Sequence, residues 1–142
     1  MIFKRNASDF MTANVIVAGE NNSFEQVMTF FTVHKIQHLP VAENNKLIGI
    51  VSRKDMLSFI ARQLNDNPMI SKEMLNNNFS IKEVMTAEPV TVEPESTQKE
   101  ILEILAAGKF QAVPVVKGGI IKGIITNKDI TRIYHYDATH LI

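Results

Sequence analysis

The chain has 142 residues, 45% of them hydrophobic, which is enough to bury a compact core and excludes disorder as a global answer. Fifteen basic and fifteen acidic side chains cancel, so no broad field draws nucleic acid or an anionic membrane to it. The absence of cysteine removes disulfide scaffolds, thiolate metal sites and thiol nucleophiles together.

Met1 to Asn6 carries no apolar signal core, and no later apolar run approaches the about 20 residues that cross a bilayer, so a cytoplasmic protein is expected. Asn14 to Ala18 reads as a short extended run closed by the polar turn Gly19-Glu20-Asn21-Asn22-Ser23, with Ser23 as helix N-cap. Phe24, Val27, Met28 and Phe31 fall at i, i+3, i+4 and i+7, which predicts a helix over Phe24 to Val33 with one face for a sheet. His38 to Ala42 and Leu47 to Val51 are strand-like around the turn Glu43 to Lys46, a β-hairpin pattern. Ser52 then opens a helix with Asp55 placed as in a capping box, and Met56, Leu57, Phe59 and Ile60 carry it past residue 60. Arg62 to Asn78 is polar and asparagine-rich, and reads as a helix end followed by a linker. Beyond it, Pro89 to Val92 is extended, and Thr97 caps a helix through Ile101, Leu102, Ile104 and Leu105 that stops at Gly108. Ala112 to Val116, the Gly118-Gly119 turn and Ile120 to Ile125 form a second hairpin, and Thr126 opens the last helix.

The same order of elements thus occurs twice, and the residues agree. Met11, Thr12, Ala13, Lys35, Gln37, Pro40, Val41, Gly49, Ile50, Lys54 and Asp55 return 74 positions later as Met85, Thr86, Ala87, Lys109, Gln111, Pro114, Val115, Gly123, Ile124, Lys128 and Asp129. Average residue usage gives roughly three chance matches over such a span. The chain is one unit written twice, with repeats at residues 1–62 and 80–142 and a helix end and linker over 63–79.

The end of each hairpin carries the chemistry. Gly49-Ile50-Val51-Ser52-Arg53-Lys54-Asp55 and Gly123-Ile124-Ile125-Thr126-Asn127-Lys128-Asp129 share a glycine, two apolar residues, a hydroxyl, a variable residue, lysine and aspartate. A helix that opens there offers unpaired N–H groups and the positive end of its dipole to phosphate. The hydroxyl adds a donor, and an ionised aspartate one turn along can accept from both hydroxyls of a ribose. The same spacing is also an ordinary helix cap, so the segment gains its meaning from the Met-Thr-Ala entry and the Gln-x-h-Pro-Val strand that accompany it, where h is apolar.

With Asp9-Phe10-Met11-Thr12, Leu39-Pro40-Val41 and Gly49 to Asp55 in one copy, and Val84-Met85-Thr86, Val113-Pro114-Val115 and Gly123 to Asp129 in the other, the chain resembles the tandem CBS-domain family, the Bateman module. The resemblance implies an α+β fold of two CBS repeats, each roughly β-α-β-β-α, packed sheet to sheet with pseudo-twofold symmetry. It implies a ligand sensor that binds an adenine nucleotide, AMP, ADP or ATP, in inter-repeat clefts. One cleft would join Thr126, Lys128 and Asp129 to Thr12, Asn14, Ile16, Gln37 and His38. The other would join Ser52, Arg53, Lys54 and Asp55 to Thr86, Glu88, Val90, Gln111 and Ala112. In each, aspartate would hold ribose, the hydroxyl phosphate, and backbone near Ile16 or Val90 the adenine edge. His38 becomes Ala112 and Arg53 becomes Asn127 in the second copy, so the two clefts are expected to be unequal.

The family resemblance further implies a homodimer and a separate protein partner that reads the bound state. Other readings keep the fold and change the role: a ligand-independent interaction module, or a sensor of S-adenosylmethionine or a cyclic dinucleotide. His34 and His38 are four apart, but two imidazoles without thiolates or paired carboxylates do not make a metal site, and no metal is expected. No Ser-His-Asp order, His-Glu-x-x-His run or Walker loop is present, so no catalysis is expected either.

Overall fold

In the computed structural model, which describes residues 4–140, the elements follow in the order α1 (Ala7–Phe10), β1 (Ala18–Gly19), α2 (Phe24–His34), β2 (His38–Glu43), β3 (Lys46–Ser52), α3 (Arg53–Asp66), α4 (Lys72–Asn78), a 3-10 turn (Ile81–Glu83), β4 (Thr86–Ala87), α5 (Gln98–Ala106), β5 (Ala112–Lys117), β6 (Ile120–Thr126) and α6 (Asn127–His140). Hydroxyl side chains set the helix starts. Ser23 Oγ accepts from the Gln26 N–H at 3.1 Å while Gln26 Oε1 accepts from the Ser23 N–H at 2.9 Å. Thr97 and Glu100 repeat the exchange at 3.2 and 3.1 Å. Each pair satisfies two main-chain donors that a helix start otherwise leaves open. The hairpin turns are built alike: Asn44 and Asn45 stand at φ 51° and 65°, Gly118 and Gly119 at 58° and 81°. Positive φ at both central residues matches the right-handed twist of the flanking strands.

Packing divides the chain into two compact units, and the division cuts across the repeats. One unit is Ile16–Pro89; the other combines the described residues up to Val15 with those from Val90 onward. In the unit Ile16–Pro89, β1 pairs parallel with β2 through Ala18 and Val41, and β2 pairs antiparallel with β3. Strand β4, from the entry of the second repeat, adds to β3 through Gly49–Ala87 and Ile50–Thr86. Its core includes Phe24, Val27, Phe31, Leu39, Val51, Met56, Phe59, Leu75 and Ile81. The other unit repeats the plan. Val92 bridges parallel to Val115, β5 pairs antiparallel with β6, and Thr12 from the entry of the first repeat pairs with Ile124. That last pair is reciprocal, Thr12 N–H to Ile124 O at 2.9 Å and Ile124 N–H to Thr12 O at 3.1 Å. Ala7, Phe10, Val92, Ile101, Leu105, Val113, Val115 and Ile125 form its core.

One recurring glycine per hairpin makes this pairing possible. A Cβ on Gly49 would collide with Met85 Sδ and stand 2.9 Å from Thr86 O; on Gly123 it would stand 2.5 Å from Met11 Sδ and 2.9 Å from Thr12 O. The Met-Thr-Ala entry and the glycine of the other repeat are therefore two sides of one contact.

The structure departs from the sequence reading in three places. The run Asn14 to Ala18 pairs as strand only at Ala18, continuing to Gly19. The segment read as helix end and linker does extend α3 to Asp66, but it also folds a helix of its own, α4, whose Leu75 is 8% exposed and whose Ser71 Oγ accepts from the Met74 N–H at 3.2 Å. Phe79, just after α4, packs 5.2 Å edge-on to Phe59, which meets Phe24 at 5.4 Å. Short α1 and the Ile81–Glu83 turn are absent from the sequence reading; in each a carboxylate three residues on accepts from the N-cap N–H, Asp9 from Asn6 at 2.9 Å and Glu83 from Ser80 at 2.7 Å. No described helix is long and apolar enough to cross a membrane.

Candidate functional site

In the unit Ile16–Pro89, the end of β3 and the start of α3 present the first hydroxyl–aspartate pair. The Ser52 N–H donates to Asp55 Oδ2 at 2.9 Å, and the Asp55 N–H donates to Ser52 Oγ at 2.9 Å. The Arg53 N–H donates to Gln37 O at 2.9 Å, and His38 lies opposite Ser52 in the β2–β3 register. Gln37 and His38 thus stand beside the Ser52–Asp55 segment of their own repeat. His38 is half-buried, and this burial lowers its imidazole pKa while the Asp55 charge pulls it the other way. Arg53, Lys54 and Asp55 are exposed around the helix start. Thr86 stands opposite Ile50, and the Glu88 N–H donates to Ile48 O at 3.2 Å, with Glu88 held at φ 49°. Ile16 packs against the core of this unit.

The second pair, in the other unit, is held very differently. Asp129 is 6% exposed, a buried charged side chain at the start of α6. Its Oδ2 accepts from the Thr126 N–H at 2.8 Å and from Thr126 Oγ1 at 3.1 Å. Its Oδ1 accepts from Thr12 Oγ1 at 2.8 Å and from Arg132 Nη2 at 2.9 Å. Thr12 and Thr126 therefore both donate to Asp129. Ala112, buried, lies opposite Thr126 in the β5–β6 register, while Gln111, Asn14, Lys128 and Val90 are exposed in the same unit.

Arg132 was not singled out from the sequence. Its one signal is a basic residue three places after Asp129, where the first repeat has Ser58. Three acidic residues away from these pairs have local roles: Glu93 and Glu95 each stand 3.2 Å from Lys117 Nζ, and Glu83 caps the 3-10 turn. A main-chain hydrogen bond, and after it Lys117, hold the Glu95 carboxyl below its ordinary range. Among the described residues no group of three or more His, Asp or Glu could hold a metal ion. A cavity of about 620 Å³ over α5, lined by Lys4, Arg5, Thr97, Gln98, Lys99, Leu102, Glu103 and Ala106, includes none of the candidate residues.

Fold and site together define a tandem α+β repeat protein with one hydroxyl–carboxylate pair at a helix start in each unit. A family model for the CBS domain matches residues 7–62 and 81–136, and the chain belongs to the CBS domain family as a pair of repeats. Over 127 residues it is 32% identical to an inosine-5′-monophosphate dehydrogenase of Korarchaeum cryptofilum (strain OPF8), a match covering 89% of this chain and 24% of that one. The chain spans about a quarter to a third of the length of the curated relatives it matches first. Among solved structures, the CBS domain pair of protein MJ0100 in complex with 5′-methylthioadenosine and S-adenosyl-L-methionine is similar at TM-score 0.79 and 23% identity, covering 95% of this chain and 99% of that one. CBSX2 in complex with AMP is similar at TM-score 0.78 and 24% identity, covering 94% and 98%. These likenesses establish the fold.

Proposed function

We propose that this chain is a non-catalytic sensor that binds an adenine nucleotide, AMP, ADP or ATP, and passes the bound state to a partner protein, with a homodimer as the working assembly. The observation that carries the reading is the Ser52–Asp55 half-site. Asp55 is exposed, and its Oδ1 makes no hydrogen bond among the described residues, so it can accept from a ribose diol. The open N-terminus of α3, Ser52 Oγ and the exposed Arg53 and Lys54 supply donors and positive charge for phosphate beside it. The adenosine compounds named with two proteins of this fold support the ligand class. A ligand favouring one conformation shifts the equilibrium by no more than its difference in affinity for the two, which is how binding would reach a partner.

Isothermal titration with AMP, ADP, ATP and S-adenosylmethionine tests the ligand and its class. Asp55→Asn removes the charge while keeping the shape, and a charged hydrogen bond contributes about 1.5–3 kcal/mol, so affinity falls about 10- to 150-fold. An affinity unchanged by Asp55→Asn refutes the ribose role. Preference for S-adenosylmethionine over all three nucleotides replaces the ligand while keeping the site.

A further inference from the structure

We propose that Arg132 latches the Asp129 half-site shut in the ligand-free chain, so that the Ser52–Asp55 half-site takes nucleotide and the Asp129 half-site opens only when Arg132 leaves. The inference rests on the nucleotide reading above. An ionised carboxylate has about four acceptor positions. At Asp129 four donor contacts fill them: Thr12 Oγ1 and Arg132 Nη2 on Oδ1, and the N–H and Oγ1 of Thr126 on Oδ2. Arg132 Nη2 also reaches Phe10 O at 3.4 Å, so the guanidinium ties α6 to the segment Phe10 to Thr12.

A ribose diol needs two of those positions. The Thr126 N–H cannot yield without unwinding the start of α6, which leaves the hydroxyls of Thr126 and Thr12 and the Arg132 guanidinium to be displaced. A hydroxyl can turn in place, whereas the charged guanidinium has to leave. The Arg132 side chain is 59% exposed against 9% for Asp129, so it can swing into water without opening the core. The first repeat lacks both restraints. Ser58 occupies the equivalent of Arg132, exposed and too short to reach Asp55, and Thr86 makes no hydrogen bond to Asp55. The repeats therefore share the Ser/Thr-x-x-Asp pattern while differing in whether its carboxylate is available, and residue 132 makes that difference.

Resolving the ATP sites by isothermal titration on the full chain tests the latch. The wild type is expected to show two unequal ATP affinities, the weaker at the Asp129 half-site, and Arg132→Ala to tighten the weaker one about fivefold. Ser58→Arg transplants the guanidinium beside Asp55 and is expected to weaken the first-repeat site about fivefold, the scale of an exposed ion pair. Two equal sites in the wild type, or a weaker site that Arg132→Ala leaves unchanged or abolishes, overturns the inference while leaving nucleotide binding in place. If ATP binds no variant, the nucleotide reading fails, and the latch is judged by hydrogen exchange at the Thr12 amide. Faster exchange in Arg132→Ala then supports it, and an unchanged rate overturns it.

Discussion

Alanine in place of Gly123 should destabilise the protein, against the usual direction of such a change. The backbone there has no positive φ, so an alanine would ordinarily gain about 0.4–1 kcal/mol by restricting the unfolded chain. Its Cβ, however, would meet Met11 Sδ at 2.5 Å and Thr12 O at 2.9 Å. The thioether is flexible and can retreat. The carbonyl cannot, because it accepts the Ile124 N–H at 3.1 Å in a reciprocal pair with Thr12. Overpacking costs about 1–3 kcal/mol, and each strained main-chain hydrogen bond adds about 0.5–1.5 kcal/mol, so Gly123→Ala should lose about 3 kcal/mol. That corresponds to a fall in Tm of about 6–12 °C for a chain of this size. Urea unfolding gives the energy, and hydrogen exchange at the Thr12 amide locates it. Adding Met11→Ala removes the thioether contact but not the carbonyl one, and so should not restore stability. A Gly123→Ala variant within about 0.5 kcal/mol of wild type would refute the argument.

Phe79→Ala should cost about 2–3 kcal/mol in urea unfolding, because the ring packs on Phe59 in the core of the unit Ile16–Pro89. A negligible loss would mean that the segment after α4 does not contribute to that core. Burial lowers the His38 pKa in the folded protein below its unfolded value near 6.5, so folding favours the neutral ring. Its stabilising contribution is complete above about pH 6.5 and is lost as pH falls from there through the lower folded value. Wild type should therefore lose Tm more steeply than His38→Gln between about pH 7 and pH 5, and equal slopes would show that His38 stays accessible to protons when folded.

Local pattern revealed local structure. The spacing of Phe24, Val27, Met28 and Phe31 located α2, whose buried residues are Phe24, Val27 and Phe31, and Ser23, Ser52 and Thr97 each cap the helix they were read to start. Helix α4 escaped notice because seven asparagine-rich residues hold less than two full turns of periodicity, and Leu75 is their one buried side chain. The repeat showed that Met11 and Gly123 recur, but not that they touch, because that pairing joins positions far apart and leaves no periodic trace. The same limit applies at the two hydroxyl–aspartate pairs. Ser52–Asp55 and Thr126–Asp129 were read from identical spacing, whereas the donors that distinguish them, Thr12 and Arg132, reach Asp129 through tertiary structure and through a helix-face neighbour that first-repeat Ser58 does not match.

The exchange of entry segments also orders folding. The unit Ile16–Pro89 is continuous in sequence and can assemble from its own neighbours, whereas the other cannot complete its sheet until the chain before Val15 returns to β6. Closing so long a loop costs entropy that no early contact repays. When the intervening residues have already condensed, the effective loop is much shorter. The reciprocal Thr12–Ile124 pair should accordingly be among the last contacts to form, with the Phe10 to Thr12 strap closing over a hairpin already in place.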